Sequence, residues 1–402
     1  MKTTMIRALA LGATLLLAGQ SAEAARAARP TAAPKPKKTL KSPKKMARFL
    51  GNRKLFRKLS PALTRGEFDA KFAVALEAPA NLVRSYAGVF WRLSRKAPPR
   101  RRLAKVGKVF GDAHRENFGF VRVGKRTVFG MTDYDDCGNG YVDDDAAHYF
   151  AELRLAEGKK SSLVDKAIAQ YAATVADPSK AVEIDPDLQP DWDQTTKNDL
   201  DRTVRGNRFR YGKNPSLRPA RVNERGIIER AVAGNPKLAG LKILDVAELI
   251  RTQGGSGGLA RYWLLVEPAR GGKAYTIELK EMGQPGVAES GEPQESDPAV
   301  RMQSLKRAFW GTASAGDWFP IDLDGTPFLV RNRHSVEKVD LGRLSKSDYE
   351  KVILAQASYM AKVHRPAWRG VSASDIEKDV GTRTGDFARA YRKAHKKMTR
   401  VD

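Results

Sequence analysis

The feature that most constrains the fold is a polar segment, GDAHRENFG at 111–119, followed by an acidic segment, DYDD at 133–136. Two short runs of β-forming residues bracket the first segment, at Val106–Phe110 and Arg126–Met131. Each run ends at one of the polar segments, as strands that deliver functional loop residues do. The sequence therefore predicts a strand, a polar loop, a second strand and an acidic loop, with the chemistry of the protein in the two loops.

Three oxygen-bearing residues of these loops are spaced for phosphoryl transfer. Asp112 and Asn117 share the first loop, and Asp133 begins the acidic loop. In phosphoryl transfer one carboxylate accepts or orients the proton of the attacking hydroxyl, while an amide oxygen and a second carboxylate hold magnesium against nucleotide phosphates. Hard oxygen ligands on loops suit Mg²⁺, which keeps several of its waters. The pattern favours a metal–nucleotide site.

The motif pair is similar to the Gly-Asp-x-His-x-x-Asn and Asp-aromatic-x-Asp signatures of aminoglycoside phosphotransferase-like kinases. It resembles more closely the bacterial family known as domain of unknown function 2252, in which Gly-Asp-Ala-His-x-x-Asn-Phe-Gly precedes Asn-Asp-Phe-Asp-Glu. This chain has TDYDD at 132–136 in the second place. The resemblance extends to a glycine-and-serine loop, a hairpin ending in Lys-Glu, and a late helix ending in MAKVHR at 360–365. It covers residues 50–395.

The resemblance implies an α+β, protein-kinase-like, two-lobed fold that holds a nucleotide and a metal. It implies that Asp112 is the catalytic base and that Asn117 and Asp133 bind the metal, with Asp135 as a supporting carboxylate. By the same resemblance His114 would orient the first loop. A zinc role for His114 is disfavoured, because the further nitrogen or sulfur ligands that zinc needs are missing from this stretch. The expected cofactors are Mg²⁺ and ATP or another nucleotide.

A glycine-rich segment downstream, GGSGG at 254–258, predicts the nucleotide-binding part. Its residues Gly255, Ser256 and Gly257 are the expected phosphate contacts, and Lys280 follows at the end of a predicted β-hairpin. In kinases a glycine-rich loop covers the phosphates and a lysine on a following strand pairs with them. Because both elements come after the catalytic loop here, we expect a circularly permuted arrangement.

A kinase lysine normally pairs with a glutamate on a helix, and that partner is not obvious in this sequence. Glu281 is adjacent to Lys280 on the strand and would point to the opposite face. Glu295 and Asp297, which precede the next predicted helix, are the remaining candidates.

Several of these features have simpler structural interpretations. GGSGG alone is more often a flexible turn, and no Gly-Lys-Ser/Thr follows it as in a P-loop. Asp143–Asp145 would begin a helix, where acids suit the helix dipole; the resemblance offers a bracing role for one of them. Cys137 is the only cysteine, and a free cysteine is commonly a small buried residue. His364 and Trp368 are expected to pack and to cap.

The N-terminal 24 residues read as a signal peptide, because Lys2 and Arg7 precede an apolar run and small residues follow it. The remaining chain divides into four predicted parts: a disordered basic linker at 25–45, a catalytic-lobe part at 46–240, a β-rich nucleotide-lobe-like part at 241–340, and C-terminal helices of the catalytic lobe at 341–402. Helices are predicted at several places: within 46–97, and at 146–157, 163–176, 298–310, 349–364 and 385–397.

The formal net charge of +26 favours polyanionic partners. Arg389–Arg400 is a solvated helix face or a patch for an anionic surface. We expect a secreted or periplasmic protein that is soluble after signal-peptide cleavage and has no transmembrane segment in the mature chain.

Because such a location is not expected to hold ATP, three hypotheses stay open. The first is an active phosphotransferase with a hydroxyl-bearing or anionic substrate. The second is a catalytically inactive kinase-like module that binds a phosphorylated or anionic envelope ligand. The third is a non-enzymatic polyanion binder, in which the central carboxylates would be repulsive.

Overall fold

The structure is a computed structural model that describes residue 40 and residues 42–97, 103–158, 161–214, 216–252, 257–311 and 318–400. Helices make up 53% of it and strands 20%, and the sheets are antiparallel. This combination confirms the predicted α+β class. The described residues all belong to one unit by their contacts.

The segment before the polar motif is helical, as its apolar spacing predicts. Ser42 and Asn52 cap the first two helices, and Thr64 begins the third with a capping box to Glu67. Because these caps satisfy the free N–H groups of each first turn, short helices can follow one another closely. The helices are α1 (Pro43–Leu50), α2 (Arg53–Lys58), α3 (Arg65–Ala75), α4 (Pro79–Arg84) and α5 (Ala87–Lys96).

The motif region has the predicted strands and loops, with two strands more than expected. The strands are β1 (Val106–Val109), β2 (Phe118–Val123), β3 (Arg126–Met131) and β4 (Gly138–Tyr141). The additional strands are β2 and β4, and β2 takes up the last two residues of GDAHRENFG. Strand β1 pairs with β4, and β2 pairs with β3, all antiparallel. Each polar loop therefore connects one of these two strand pairs to the other.

The helix after the acidic loop begins earlier than predicted. Helix α6 spans Val142–Glu157, so that Asp143–Asp145 lie within its first turn and not before it. All three aspartates are buried, which an N-terminal cap does not require. Helix α7 (Leu163–Ala176) has the predicted bounds. Three short elements follow: α8 (Trp192–Thr203), β5 (Val204–Arg205) and β6 (Arg208–Phe209).

In the described part of the chain, the region downstream forms a six-stranded antiparallel sheet of order β11-β12-β10-β9-β8-β7. Its central hairpin, β9 with β10, was predicted. The GGSGG segment stands between β8 and β9 in the sequence, ahead of that hairpin. Helix α10 has the predicted bounds. The elements are β7 (Leu217–Pro219), α9 (Val222–Gly234), β8 (Leu241–Leu249), β9 (Arg261–Pro268), β10 (Tyr275–Glu281), α10 (Pro298–Trp310), β11 (Trp318–Leu323) and β12 (Thr326–Asn332).

The C-terminal part returns to the motif region. Strand β13 (Val336–Lys338) pairs with β2, and helices α11 (Lys346–His364) and α12 (Ala373–Met398) follow. Both helices start earlier than predicted, α12 by twelve residues. Helix α12 packs against α6, α7 and α1. No helix among the described residues is both long and apolar enough to cross a membrane.

Candidate functional site

A tight turn at Gly111 brings the two polar loops together. Gly111 has a φ of 74°, and a Cβ at this position would lie 1.8 Å from the carbonyl oxygen of Asp136. Only glycine combines that conformation with so close an approach of two backbones. The indole nitrogen of Trp91 donates to the Gly111 carbonyl oxygen at 2.6 Å. The turn sets the direction in which Asp112 leaves the strand.

Asp145, in the first turn of α6, holds the start of this loop. Its carboxylate accepts hydrogen bonds from the backbone nitrogens of Phe110 at 2.7 Å and Gly111 at 3.0 Å. His364 Nε2 lies 3.1 Å from Asp145 Oδ2, and Tyr171 Oη lies 2.9 Å from His364 Nδ1. Asp145 therefore has the bracing role that the resemblance offered, and His364 supports it as a buried bridging residue.

Asp112 is buried in a cluster of acids. It is 8% exposed, and its Oδ1 has no hydrogen-bond partner among the described residues. Burial raises the pKa of Asp112 well above its ordinary value, and the nearby carboxylates of Asp136 and Asp133 raise it further, while Arg84 opposes them. A carboxylate with a raised pKa is suited to accept a proton near neutral pH.

His114 packs beside Asp112 and shapes the loop. Its Nδ1 accepts a hydrogen bond from the backbone nitrogen of Glu116 at 3.3 Å, and its Nε2 lies 3.9 Å from Asp112 Oδ2. Burial holds the pKa of His114 well below its usual range, and the cations Arg84 and Lys338 lower it further. A neutral imidazole in this place can orient the loop through hydrogen bonds.

Asn117 links the two loops to the last strand. Its backbone oxygen accepts hydrogen bonds from the backbone nitrogen and the hydroxyl of Thr132, both at 2.9 Å. Its side-chain nitrogen donates to the Asp112 carbonyl oxygen at 3.2 Å, and its Oδ1 accepts from Lys338 Nζ at 2.9 Å. The amide is therefore oriented with its oxygen toward the site.

Lys280 meets the acidic loop. Its ammonium donates to Asp133 Oδ1 at 2.8 Å and also pairs with Asp135. Burial alone would raise the pKa of Asp133, but Lys280, aided by Arg331, outweighs burial and lowers it. The pKa of Asp135 is raised, because burial and the charge of Asp133 exceed the effect of Lys280. The contact joins the six-stranded sheet to the motif region.

None of the three acids considered as partners of Lys280 pairs with it, and each has another contact. Glu281 accepts from the backbone nitrogen of Ala260 at 2.8 Å, and Asp297 caps α10 through the backbone nitrogen of Ala299 at 2.7 Å. Glu295 accepts from the backbone nitrogen of Asp297 at 3.1 Å. Among the described residues, the acids that pair with Lys280 are Asp133 and Asp135 of the acidic loop.

The glycine-rich loop is described only at its downstream end. Of the three expected phosphate contacts, Gly255 and Ser256 lie outside the described residues, and Gly257 lies within them. The backbone nitrogen of Gly258 donates to the Arg251 carbonyl oxygen at 2.9 Å and closes the loop. A Cβ on Gly258, whose φ is 89°, would lie 2.8 Å from Leu63. This end of the loop therefore rests on the connection between α2 and α3.

A cavity of about 510 Å³ opens at Asp112. His114, Asn117 and Asp133 line it together with side chains from α3, α4 and the six-stranded sheet. The cationic side chains that line the same cavity are Arg84, Arg251, Arg261, Arg331 and Lys338. A space with acids at one place and five cations around it suits a ligand that carries both a metal and several negative charges.

The donors present fit a magnesium ion, although within the described residues no three His, Cys, Asp or Glu side chains are arranged to hold a metal together. Mg²⁺ needs few protein ligands, because it keeps its waters and bonds to phosphate oxygens. Asn117 Oδ1 and Asp133 Oδ1 are hard oxygen donors, and both now accept from lysine ammonium groups. A bound metal would replace those two lysine contacts.

Several residues of the site escaped the sequence analysis. Lys71 on α3 is 2% exposed, and burial lowers its pKa to about 8 although the charges of Asp136 and Asp112 raise it. The sequence did carry a signal for it, because Lys71 stands on the buried face of a helix, three residues after Phe68. Lys338, which contacts Asn117, has no comparable signal.

No family model matches this chain, and neither the curated proteins nor the solved structures contain a significantly similar one. The functional interpretation therefore depends on the geometry of the site and on the motifs of the sequence.

Proposed function

We propose that this protein is an exported kinase-like phosphotransferase that uses a magnesium nucleotide. The observation that carries the proposal is the meeting of three sequence segments: Asp112 and Asn117 line one cavity with Asp133 of the acidic loop, and Lys280 contacts Asp133 at 2.8 Å. Phosphoryl transfer needs a base, oxygen ligands for a metal and a cation for the phosphates. Each of these groups has a candidate at this cavity.

We also propose a two-lobed, circularly permuted kinase-like arrangement. The order of elements supports this arrangement: β8 is followed by the glycine loop, β9, β10 with Lys280, and then α10. Kinases likewise have a glycine loop between two strands and a lysine on the third strand. In this chain the order follows the catalytic loop, and β13, α11 and α12 return to the motif region. The nucleotide lobe would be the six-stranded sheet.

In the proposed reaction the hydroxyl oxygen of an acceptor attacks the terminal phosphorus of the nucleotide. Asp112 takes the hydroxyl proton, and the bond to the leaving nucleoside diphosphate breaks as the new P–O bond forms. Asn117 and Asp133 would hold Mg²⁺, which neutralises charge on the phosphates. Lys280 would move from Asp133 to the phosphates, and His114 holds the loop that carries Asp112.

The five cations of the cavity favour a second candidate, a catalytically inactive module that binds a phosphorylated or anionic ligand. Arg84 pairs with Glu116, and Arg331 pairs with Glu278 at 2.7 Å. Lys338, by contrast, contacts only the neutral amide of Asn117 among the hydrogen bonds and ion pairs of the described residues. A binding module would use such a cation without needing Asp112.

The first experiment measures nucleotide binding. We expect Mg²⁺ with ATP to raise the melting temperature of the chain from Ala25 onward, and we expect Asp133→Asn to abolish the metal dependence. Asp187→Asn is the matched control, because Asp187 is an exposed aspartate outside the cavity. Metal-dependent binding that persists unchanged in Asp133→Asn would refute the metal assignment.

A second experiment separates the enzyme from the binding module. Phosphate release or transfer from labelled ATP is measured for the native chain and for Asp112→Asn. We expect turnover to fall at least 100-fold in the variant while nucleotide affinity is retained, as the loss of a general base predicts. Binding without turnover in the native chain would favour the second candidate.

A further inference from the structure

The first and last helices of the described chain form a strongly basic surface. Helix α1 buries Met46, Ala47 and Leu50 and exposes its cations, and the end of α12 does the same around Ala390 and Ala394. We call these exposed cations the basic surface, and they are Lys44, Lys45, Arg48, Lys393, Lys396 and Lys397.

The two halves of this surface adjoin. Helix α1 packs against α12, and a Cβ on Gly51, at the end of α1, would lie 3.9 Å from the Cδ atom of Lys397. His395 Nε2, one turn inside the end of α12, lies 2.8 Å from the carbonyl oxygen of Leu76 at the end of α3. The cations of both helices are therefore held on one rigid part of the molecule.

The charge of the surface is not compensated. The sequence contains no acid between residues 42 and 66 or between residues 387 and 400. Within the described residues, none of the six cations forms an ion pair. Six more Lys or Arg residues stand at positions 25–41, directly before α1 in the sequence. Like charges assembled without acids repel one another, and a polyanion would relieve that repulsion.

We propose that the basic surface docks the protein on a lipid bilayer that carries anionic phospholipid headgroups. Five of its six cations are lysines, which attract a fluid layer of charge without fixed geometry, whereas arginine is favoured for bidentate contacts to individual phosphates. The exposed large apolar residues Val74, Val106, Val222, Ile250 and Val300 all lie outside the surface. None of these exposed residues is aromatic, so the described part of the chain offers no exposed aromatic side chain there on which single-stranded bases could stack.

Docking of this kind is independent of the catalytic proposal, because none of the six cations lines the cavity at Asp112. Each Lys or Arg near an anionic membrane contributes about fivefold to the partition coefficient, since about 1 kcal/mol corresponds to that factor. Salt screens the attraction between these cations and the anionic headgroups over distances longer than a Debye length. Removing three of the cations should therefore reduce binding to vesicles by tenfold or more at low salt.

The test is cosedimentation of the chain from Ala25 onward with sucrose-loaded vesicles. Vesicles of phosphatidylcholine mixed with phosphatidylglycerol are compared with vesicles of phosphatidylcholine alone. We expect binding to the anionic vesicles only, lost at high salt and weakened at least tenfold in the triple variant Lys393→Gln, Lys396→Gln and Lys397→Gln.

The matched control removes the same charge from exposed lysines elsewhere, in the triple variant Lys125→Gln, Lys213→Gln and Lys273→Gln. We expect it to bind nearly as the native chain does. Melting temperatures of both variants verify folding. Equal loss of binding in the two triple variants would show that binding depends on net charge alone, and this result would overturn the proposal. Binding to duplex DNA without binding to anionic vesicles would also overturn it.

Discussion

The contact between the motif turn and the acidic loop makes a sharp prediction for Gly111→Ala. The new Cβ would lie 1.8 Å from the Asp136 carbonyl oxygen, roughly 1.6 Å short of ordinary contact at 3.4 Å. To make room, the acidic loop must move, and this breaks the 2.7 Å hydrogen bond from the Gly286 nitrogen to Asp136 Oδ1. The Gly111 carbonyl oxygen would also move away from Trp91.

The expected loss of stability follows from these parts. A positive φ at a non-glycine residue costs about 1 kcal/mol, overpacking costs about 1–3 kcal/mol, and two broken hydrogen bonds cost about 1 kcal/mol each. We therefore expect Gly111→Ala to lower the free energy of unfolding by about 4 kcal/mol or more, since these costs act together.

Gly124→Ala isolates the contact, because Gly124 also has a positive φ, 63°, but a Cβ there has nothing within 4 Å. Gly124→Ala should lower the free energy of unfolding by about 1 kcal/mol, which is the cost of the positive φ alone. Urea unfolding of both variants, followed by fluorescence, measures the difference. Free energies of unfolding that agree within about 1 kcal/mol would refute the close approach of the two loops.

Three further predictions concern buried charges. Lys280→Met should destabilise by about 3–5 kcal/mol because it leaves the carboxylates of Asp133 and Asp135 unpaired, and the loss measured by urea unfolding should shrink as the pH falls, because burial favours the neutral form of both carboxylates once Lys280 is gone. Asp145→Asn should cost about 2–4 kcal/mol, because an amide cannot accept all the bonds that the carboxylate does; unchanged thermal stability would contradict the bracing role. Lys71 has its pKa lowered to about 8 in the folded state from 10.5. The unfolded chain therefore binds more protons between these values, and the stability of the native chain relative to Lys71→Met should rise as the pH increases from 8 to 10.

The sequence by itself determined the local features of this protein. Runs of β-forming residues predicted the strands on either side of GDAHRENFG, and helix-forming segments predicted the bounds of α7 and α10, because these features depend on residues close together in the chain. The motif also singled out Asp112, Asn117 and Asp133, since their side-chain chemistry and spacing are visible in the sequence. Where sequence and structure differ, as at the start of α6, the helix begins four residues earlier than predicted and takes Asp143–Asp145 into its first turn, where all three are buried.

Only the tertiary structure decided which distant residues meet at the site. Lys280 reaches Asp133 across 147 positions, and Lys338 reaches Asn117 across 221. Such pairs depend on how β10 and β13 pack against the motif region, which no local period in the sequence encodes. The same reason explains the unforeseen burial of Lys71 and the pairing of Lys280 with aspartates: a charge is stabilised by whichever opposite charges the completed fold brings within contact.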